Sequence, residues 1–273
     1  MMTINCKGTL VDLTKPKVMG ILNVTPDSFF DGGKYKNERD ILVQAEKMLS
    51  EGATFIDVGA YSSRPGAKHI SEEEELQRML PVVELLVKNF PEIIFSVDSF
   101  RSRVVEESIN AGAGIINDIS GGKMDVKMFD TVAKLQVPYI MMHMQGTPQN
   151  MQQNPQYENV VTEVVSFFAE QLFKLRQLKV NDVIIDVGFG FGKTLNQNYE
   201  LLKRLSMFKS LDVPILTGVS RKSMLYKLLG ITSQEALNAT TVANTIALLN
   251  GTHILRVHDV KEAVEAVKIV EQL

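Results

Sequence analysis

The chain has 273 residues, 45% hydrophobic and 22% charged, a balance that suits one soluble folded body over residues 1–273 better than a disordered or membrane-embedded chain. Its net charge of -3 and pI near 5.9 argue against nucleic-acid or anionic-membrane partners, which require a basic face. The lone cysteine, Cys6, can form no internal disulfide, the start lacks a signal peptide's apolar stretch, and no run approaches the roughly 20 residues of a membrane span, so a cytoplasmic location is expected.

Residues 3 to 13, with Gly8 between two extended-looking pieces, predict a hairpin. From residue 17 onward, short β-rich apolar runs alternate with longer amphipathic segments, the pattern of repeated βα units around a parallel sheet. Strands are predicted at KVMGILN from 17, TFIDVGA from 54, IIFSVDS from 93, GIINDI from 114, PYIMMHM from 138, VIIDVG from 183, PILTGVS from 214 and HILRVHD from 253. Helices are predicted at 39 to 51, 72 to 88, 101 to 112, 125 to 135, 158 to 178, 196 to 206, 222 to 248 with a break near Gly230, and 260 to 272. Asn23, Asp98, Asn117, Asp186, Lys222, Arg256 and His258 fall at or just beyond the C-terminal ends of these strands. A closed (β/α)8 barrel gathers such ends at one mouth, whereas a doubly wound sheet spreads them across its width. The expected fold is therefore a single α/β TIM barrel, with the hairpin closing its lower end.

The loops after the strands carry the chemistry. MGILNVTPDSFFDGG, residues 19 to 33, is long for a βα turn, and long ordered loops are often binding loops. Ser62, Ser63 and Arg64 offer several donors to a phosphate, although a single loop arginine ordinarily faces solvent. Asp98, Asn117, Asp118 and Asp186 end apolar strands, where a buried acid needs donors. Helix capping is the alternative for such residues, most evenly balanced for Asp118. GFGFGK, residues 188 to 193, has neither Walker nor dinucleotide spacing, so its glycines are read as turning the loop to present Phe189 or Phe191 to a ring. Lys222, Ser223, Arg256 and His258 follow the last two strands, where barrels frequently hold phosphate. His69 and His253 read as structural, and His143 has no neighbours at zinc-ligand spacing.

Taken in order, ILNVTPDSFFDGG, SSRPGA, SVDSF, INDISGG, MHMQGTP, the run from Asp186 to Lys193, GVSRKS and RVHD resemble the dihydropteroate synthase family over nearly the whole chain. The resemblance implies an enzyme of folate biosynthesis and a sulfonamide target. The reaction would join 6-hydroxymethyl-7,8-dihydropterin pyrophosphate to 4-aminobenzoate, giving 7,8-dihydropteroate and pyrophosphate. It implies that Asp98, Asn117, Asp186 and Lys222 hold the pterin, with Met141 lining the pocket, and that Arg256 packs on the pterin plane. Asn23, Arg64, Arg256 and His258 would receive the pyrophosphate, and Mg2+ would take an oxygen ligand from Asn23 and the rest from phosphate and water. Phe29, Pro65, Phe191 and Ser223 would lie near the ring and carboxylate of 4-aminobenzoate, and Ser63 is among the implied substrate-binding residues. Asp98, Lys222 and Arg256 are the implied catalytic residues, and a homodimer is the implied assembly.

One departure from the family pattern stands out, because Ala60 and Tyr61 occupy positions where a glycine and an acid are usual, while Arg64 is kept. Two alternatives share the barrel and the pterin-holding acids. A pterin-binding methyltransferase would not need the pyrophosphate donors, and a non-catalytic pterin-binding paralogue is favoured only by Ala60 and Tyr61.

Overall fold

The computed structural model describes residues 2–24, 38–63 and 69–273. Eight strands pair in parallel and close on themselves: β3 (Lys17–Asn23), β4 (Phe55–Gly59), β5 (Ile94–Asp98), β6 (Ile115–Asp118), β7 (Tyr139–Met142), β8 (Val183–Asp186), β9 (Ile215–Thr217) and β10 (Ile254–Val257), with β10 pairing back onto β3. Each is an apolar run of the kind that a sheet covered on both faces requires. The expected barrel is thereby borne out.

The predicted hairpin is present as well. β1 (Thr3–Cys6) and β2 (Thr9–Asp12) are antiparallel and turn at Lys7 and Gly8, both at positive φ. Ile4, Cys6 and Leu13 pack against Met19, Phe55, Ile115, Ile140, Ile184, Leu216 and Ile254, which fill the barrel's lower interior. Lys7 Nζ reaches Ile109 O at 2.7 Å and Asn5 N reaches Asp182 Oδ1 at 3.1 Å, so polar bonds fasten the plug at its edges.

The outer layer consists of α1 (Glu38–Ser50), α2 (Glu72–Asn89), α3 (Ser102–Asn110), α4 (Met128–Leu135), α5 (Val160–Gln177), α6 (Leu195–Lys203), α7 (Ser223–Leu229), α8 (Leu237–Leu249) and α9 (Val260–Val270). Local chemistry sets several starts. Ser71 and Asn159 cap α2 and α5, and Thr194 with Gln197 forms a capping box on α6, each satisfying backbone donors left over in a first turn. α4 begins at Met128 rather than 125 because the Asp125 carboxylate accepts from Ser102 N and Lys127 N, holding that stretch in a turn. The break predicted near Gly230 within 222 to 248 is present and divides the segment into α7 and α8. Gly230 ends α7 at φ 66°, a left-handed conformation that glycine adopts without strain.

Strand alternation places the site. Met19, Phe55, Ile115, Ile140, Ile184, Leu216 and Ile254 point into the barrel. Two residues further along the same inward rows stand Asp57, Asn117, Met142, Asp186, Gly218 and Arg256. The lower barrel is thus filled with hydrocarbon and its C-terminal mouth is polar.

Candidate active site

Two clusters dominate the mouth. In the first, Arg256 on β10 lies between two carboxylates. Its Nε donates to Asp57 Oδ2 at 2.6 Å and its Nη2 donates to Asp98 Oδ2 at 2.7 Å. Asn117 Nδ2 donates to the same Asp57 oxygen at 2.9 Å. Burial pushes Asp98 up to about 7, against the pull of Arg256 and with a push from Asp57. Burial would lower Arg256, yet Asp57 and Asp98 raise it above its ordinary value, so the guanidinium is a permanent cation. Gly59 stands beside this cluster without a side chain. A Cβ there would lie 3.3 Å from Asn23 Oδ1 and 3.7 Å from Asp98 Oδ2, so its absence leaves a space that both oxygens face.

The second cluster joins β8 and β9. Asp186 Oδ1 accepts from Gly188 N at 2.8 Å. Asp186 Oδ2 and Lys222 Nζ lie 3.8 and 3.9 Å from where a Gly218 Cβ would be. Lys222 donates to Phe189 O at 2.5 Å and sits 4.8 Å from the centre of the Phe191 ring. Burial raises Asp186, opposed by Lys222, and lowers Lys222 to about 8, opposed by Asp186. An acceptor and a donor therefore flank one gap above a glycine, a pairing suited to a flat heterocycle with both N–H groups and a carbonyl on one edge.

A family model described as pterin binding enzyme matches residues 19–258. The chain is 46% identical to the dihydropteroate synthase of Escherichia coli over 99% of its own length and 96% of that protein. It is 37% identical to the Bacillus subtilis dihydropteroate synthase, over 95% of its length and 89% of that protein. Among solved structures, a Yersinia pestis dihydropteroate synthase in a sulfonamide drug complex superposes with a TM-score of 0.95 at 45% identity, covering 99% of this chain and 98% of that one. The Xanthomonas albilineans enzyme with 4-aminobenzoic acid superposes at 0.91 and 37% identity, covering 99% and 97%. This chain belongs to the dihydropteroate synthase family.

Within that family frame, the mouth gathers Asn23, Asp98, Asn117, Asp186 and Arg256 at inward or terminal strand positions and Lys222 at the start of α7 beyond β9, at or just beyond the strand ends as the sequence predicts. Ser223 is the first residue of α7. His258 is half-buried, with Nδ1 3.1 Å from Ser220 Oγ. Ser63 is half-buried beyond β4. Phe29, Arg64 and Pro65 lie outside the described residues. Phe191, not the fully buried Phe189, is the aromatic beside Lys222.

The role expected of Met141 is corrected. It points outward into the helix-facing core, where it joins Tyr139 and Phe168, whereas Met142 takes the inward row. The alternation of β7 decides between the two methionines. Asp118 also points outward. It accepts from Ser120 N, Ser120 Oγ, Gly122 N and Tyr139 Oη, so it holds the turn after β6 rather than capping a helix. His69 and His253 are structural as expected, the latter accepting from Ile215 N at 3.0 Å.

Tyr61, the departure from the family pattern, is buried. Its hydroxyl lies 3.1 Å from His69 Nδ1 and accepts from Gln149 Nε2 at 2.9 Å. Its ring meets Phe100 edge-on at 5.1 Å and the Arg101 guanidinium at 5.6 Å. Arg101 in turn pairs with the fully buried Glu75 and donates to Ile70 O at 2.6 Å. The loops after β4, β5 and β7 and the start of α2 thus converge on one tyrosine. The residues that the sequence reading passed over are Asp57, Arg101 and Lys193. An acid inside the apolar strand TFIDVGA was the available signal for Asp57, whereas nothing in the pattern marked the burial of the other two.

Proposed function

We propose that the mouth of this dihydropteroate synthase family member joins dihydropterin pyrophosphate to 4-aminobenzoate. The observation that carries the proposal is the gap above Gly218, where Asp186 Oδ2 and Lys222 Nζ face one space while Arg256 and its two carboxylates border it. The 2-amino pyrimidinone edge of a pterin presents paired N–H donors to Asp186, and its carbonyl and N5 accept from Lys222. Asn117 and Asp98 complete that side. The permanent charge of Arg256 meets the ring and the departing pyrophosphate together with Asn23, Arg64 and His258. In the reaction, the methylene carbon–oxygen bond breaks with its electron pair going to pyrophosphate. The amine lone pair of 4-aminobenzoate forms the new carbon–nitrogen bond, and the amine then loses a proton. No side chain need form a covalent bond. The protein contributes positioning and stabilisation of the leaving anion.

Mg2+ fits the residues present. Asn23 Oδ1 faces the open space over Gly59, and among the described residues no group of three His, Cys, Asp or Glu forms a metal cage. That donor set suits an ion held by one protein oxygen and the substrate's phosphates. The ion would supply charge neutralisation on pyrophosphate.

The proposed assembly is a homodimer through α8. Val242, Ile246 and Leu249 are exposed at successive turns of one face, with Leu228 and Leu229 exposed on α7. Thr241 and Thr245 on α8 bond back to Leu237 O and Thr241 O, so covering the face orphans neither hydroxyl. The proposed compartment is the cytoplasm, consistent with the free, buried thiol of Cys6. Among the described residues no helix is long and apolar enough to cross a membrane.

The deciding experiment is turnover with dihydropterin pyrophosphate, 4-aminobenzoate and Mg2+. Formation of dihydropteroate is expected, and sulfonamides should compete with 4-aminobenzoate. Tight pterin binding with no dihydropteroate formed would make the chain a binding paralogue.

A further inference from the structure

Lys193 ends the glycine-rich run after β8, and the reaction described above makes no use of it. Its side chain is 3% exposed. The ammonium sits 3.0 Å from Gly188 O, 3.0 Å from Phe191 O, 3.3 Å from His143 O and 3.0 Å from His143 Nδ1. Three of these partners are carbonyls, which only accept. Burial and the neighbouring Lys193 hold His143 down at about 2, so the imidazole is neutral and its Nδ1 can accept as well. Burial draws Lys193 itself down to about 7, with Asp186 opposing.

Lys193 ties together carbonyls of two loops, Gly188 O and Phe191 O after β8 and His143 O after β7, of which Gly188 O also accepts from Phe191 N at 3.0 Å. Gly188 and Gly192 hold φ at 70° and 63°. A Cβ at Gly188 would lie 2.0 Å from His143 O and one at Gly192 would lie 2.5 Å from Gln145 O. Backbone therefore packs directly on backbone between the loops after β7 and β8, with no side chain between them.

The same stretch carries the partners of two site residues. Gly188 N donates to Asp186 Oδ1, Phe189 O accepts from Lys222 Nζ, and the Phe191 ring lies beside that ammonium. We propose that Lys193 is a positioning residue for the pterin edge: by clamping residues 188–193 onto the loop after β7, it sets the orientation of Asp186 and the reach of Lys222. Arg256 and Asp98 have their own partners on β4 and β10, so the clamp acts on the pterin edge and leaves the Arg256 cluster alone.

The proposal rests on the mouth being a pterin site, and the two ideas fail differently. If the natural protein forms no dihydropteroate, the reading of function is wrong. If it turns over and the Lys193 variants keep normal pterin recognition, this proposal is wrong. Lys193→Met retains the length and removes the donors. Its KM for dihydropterin pyrophosphate and its Kd for a pterin, measured by calorimetry, should rise about tenfold or more, while the KM for 4-aminobenzoate, whose ring Phe191 is expected to meet, rises by a smaller factor. Lys193→Gln, which keeps two N–H donors, should shift the same quantities less. Equal rises in both KM values, or a lower Tm with pterin affinity unchanged, would overturn the proposal. So would failure of both variants to fold, since Lys193 would then be structural only.

Discussion

Asp57→Asn probes the Arg256 cluster from a residue placed to act through its neighbours. The carboxylate is fully buried, and one oxygen accepts from both Arg256 Nε at 2.6 Å and Asn117 Nδ2 at 2.9 Å. Orphaning a buried charge costs about 3–5 kcal/mol, but Asp98 still faces Arg256 at 2.7 Å and keeps the guanidinium paired. The loss is then that of one charge-assisted bond, about 2 kcal/mol, or ~30-fold in the folding equilibrium. Urea unfolding at fixed pH measures it. Kinetics supply a second, independent sign. Asp57 is among the charges that push Asp98 up to about 7, so its neutralisation should move the acid limb of the pH–rate profile below 7. An unchanged urea midpoint together with an unmoved limb would refute the role of Asp57.

Asp186→Asn exchanges one acceptor for a donor at the pterin edge and should weaken pterin binding by about 1–3 kcal/mol, read by calorimetry on the folded variant. Pterin affinity should rise with pH through about 7 as Asp98 ionises and fall through about 8 as Lys222 loses its proton, and Lys222→Met should abolish the falling limb. On the stability side these groups act in opposite senses. Asp98, raised on folding, stabilises at low pH and loses that contribution as pH rises through about 7, whereas Lys222, depressed on folding, stabilises at high pH and loses its contribution as pH falls through about 8. Tyr61→Phe keeps the ring contacts but removes the bonds to His69 and Gln149; activity should persist with the KM for 4-aminobenzoate raised more than that for the pterin substrate. Ile246→Glu places a charge on the α8 face and should shift the protein to monomer in sedimentation velocity at unchanged Tm.

The barrel was legible because eight apolar runs alternate with amphipathic segments, as parallel strands covered on both faces require, and because six of those runs carry a polar residue at or just beyond their C-terminal end. The positions of Asp98, Asn117, Asp186, Lys222 and Arg256 followed from the strand ends. What escaped was contact between segments distant in sequence. Asp57 and Arg256 are 199 residues apart, and only barrel closure makes them partners. Lys193 closed a glycine-rich run read only for its aromatic rings, since a lysine's burial depends on carbonyls supplied by another loop. Met141 and Met142 differ by one residue, and a one-residue change of parity exchanges the two faces of a strand. Tyr61 read as a lost acid, whereas its ring and hydroxyl make a junction that no local pattern encodes.

Because β1 and β2 stopper the lower end and hydrocarbon fills the barrel above them, everything that enters or leaves must use the mouth. On the assignment proposed above, a pterin seated against Asp186 and Lys222 would lie beneath a 4-aminobenzoate at the rim. Traffic is then a single-lane queue: the pterin compound must enter first, and a 4-aminobenzoate that arrives early stands in its way. Dihydropteroate departs by the route its precursors took, and initial-rate patterns with both substrates varied should display that obligatory order.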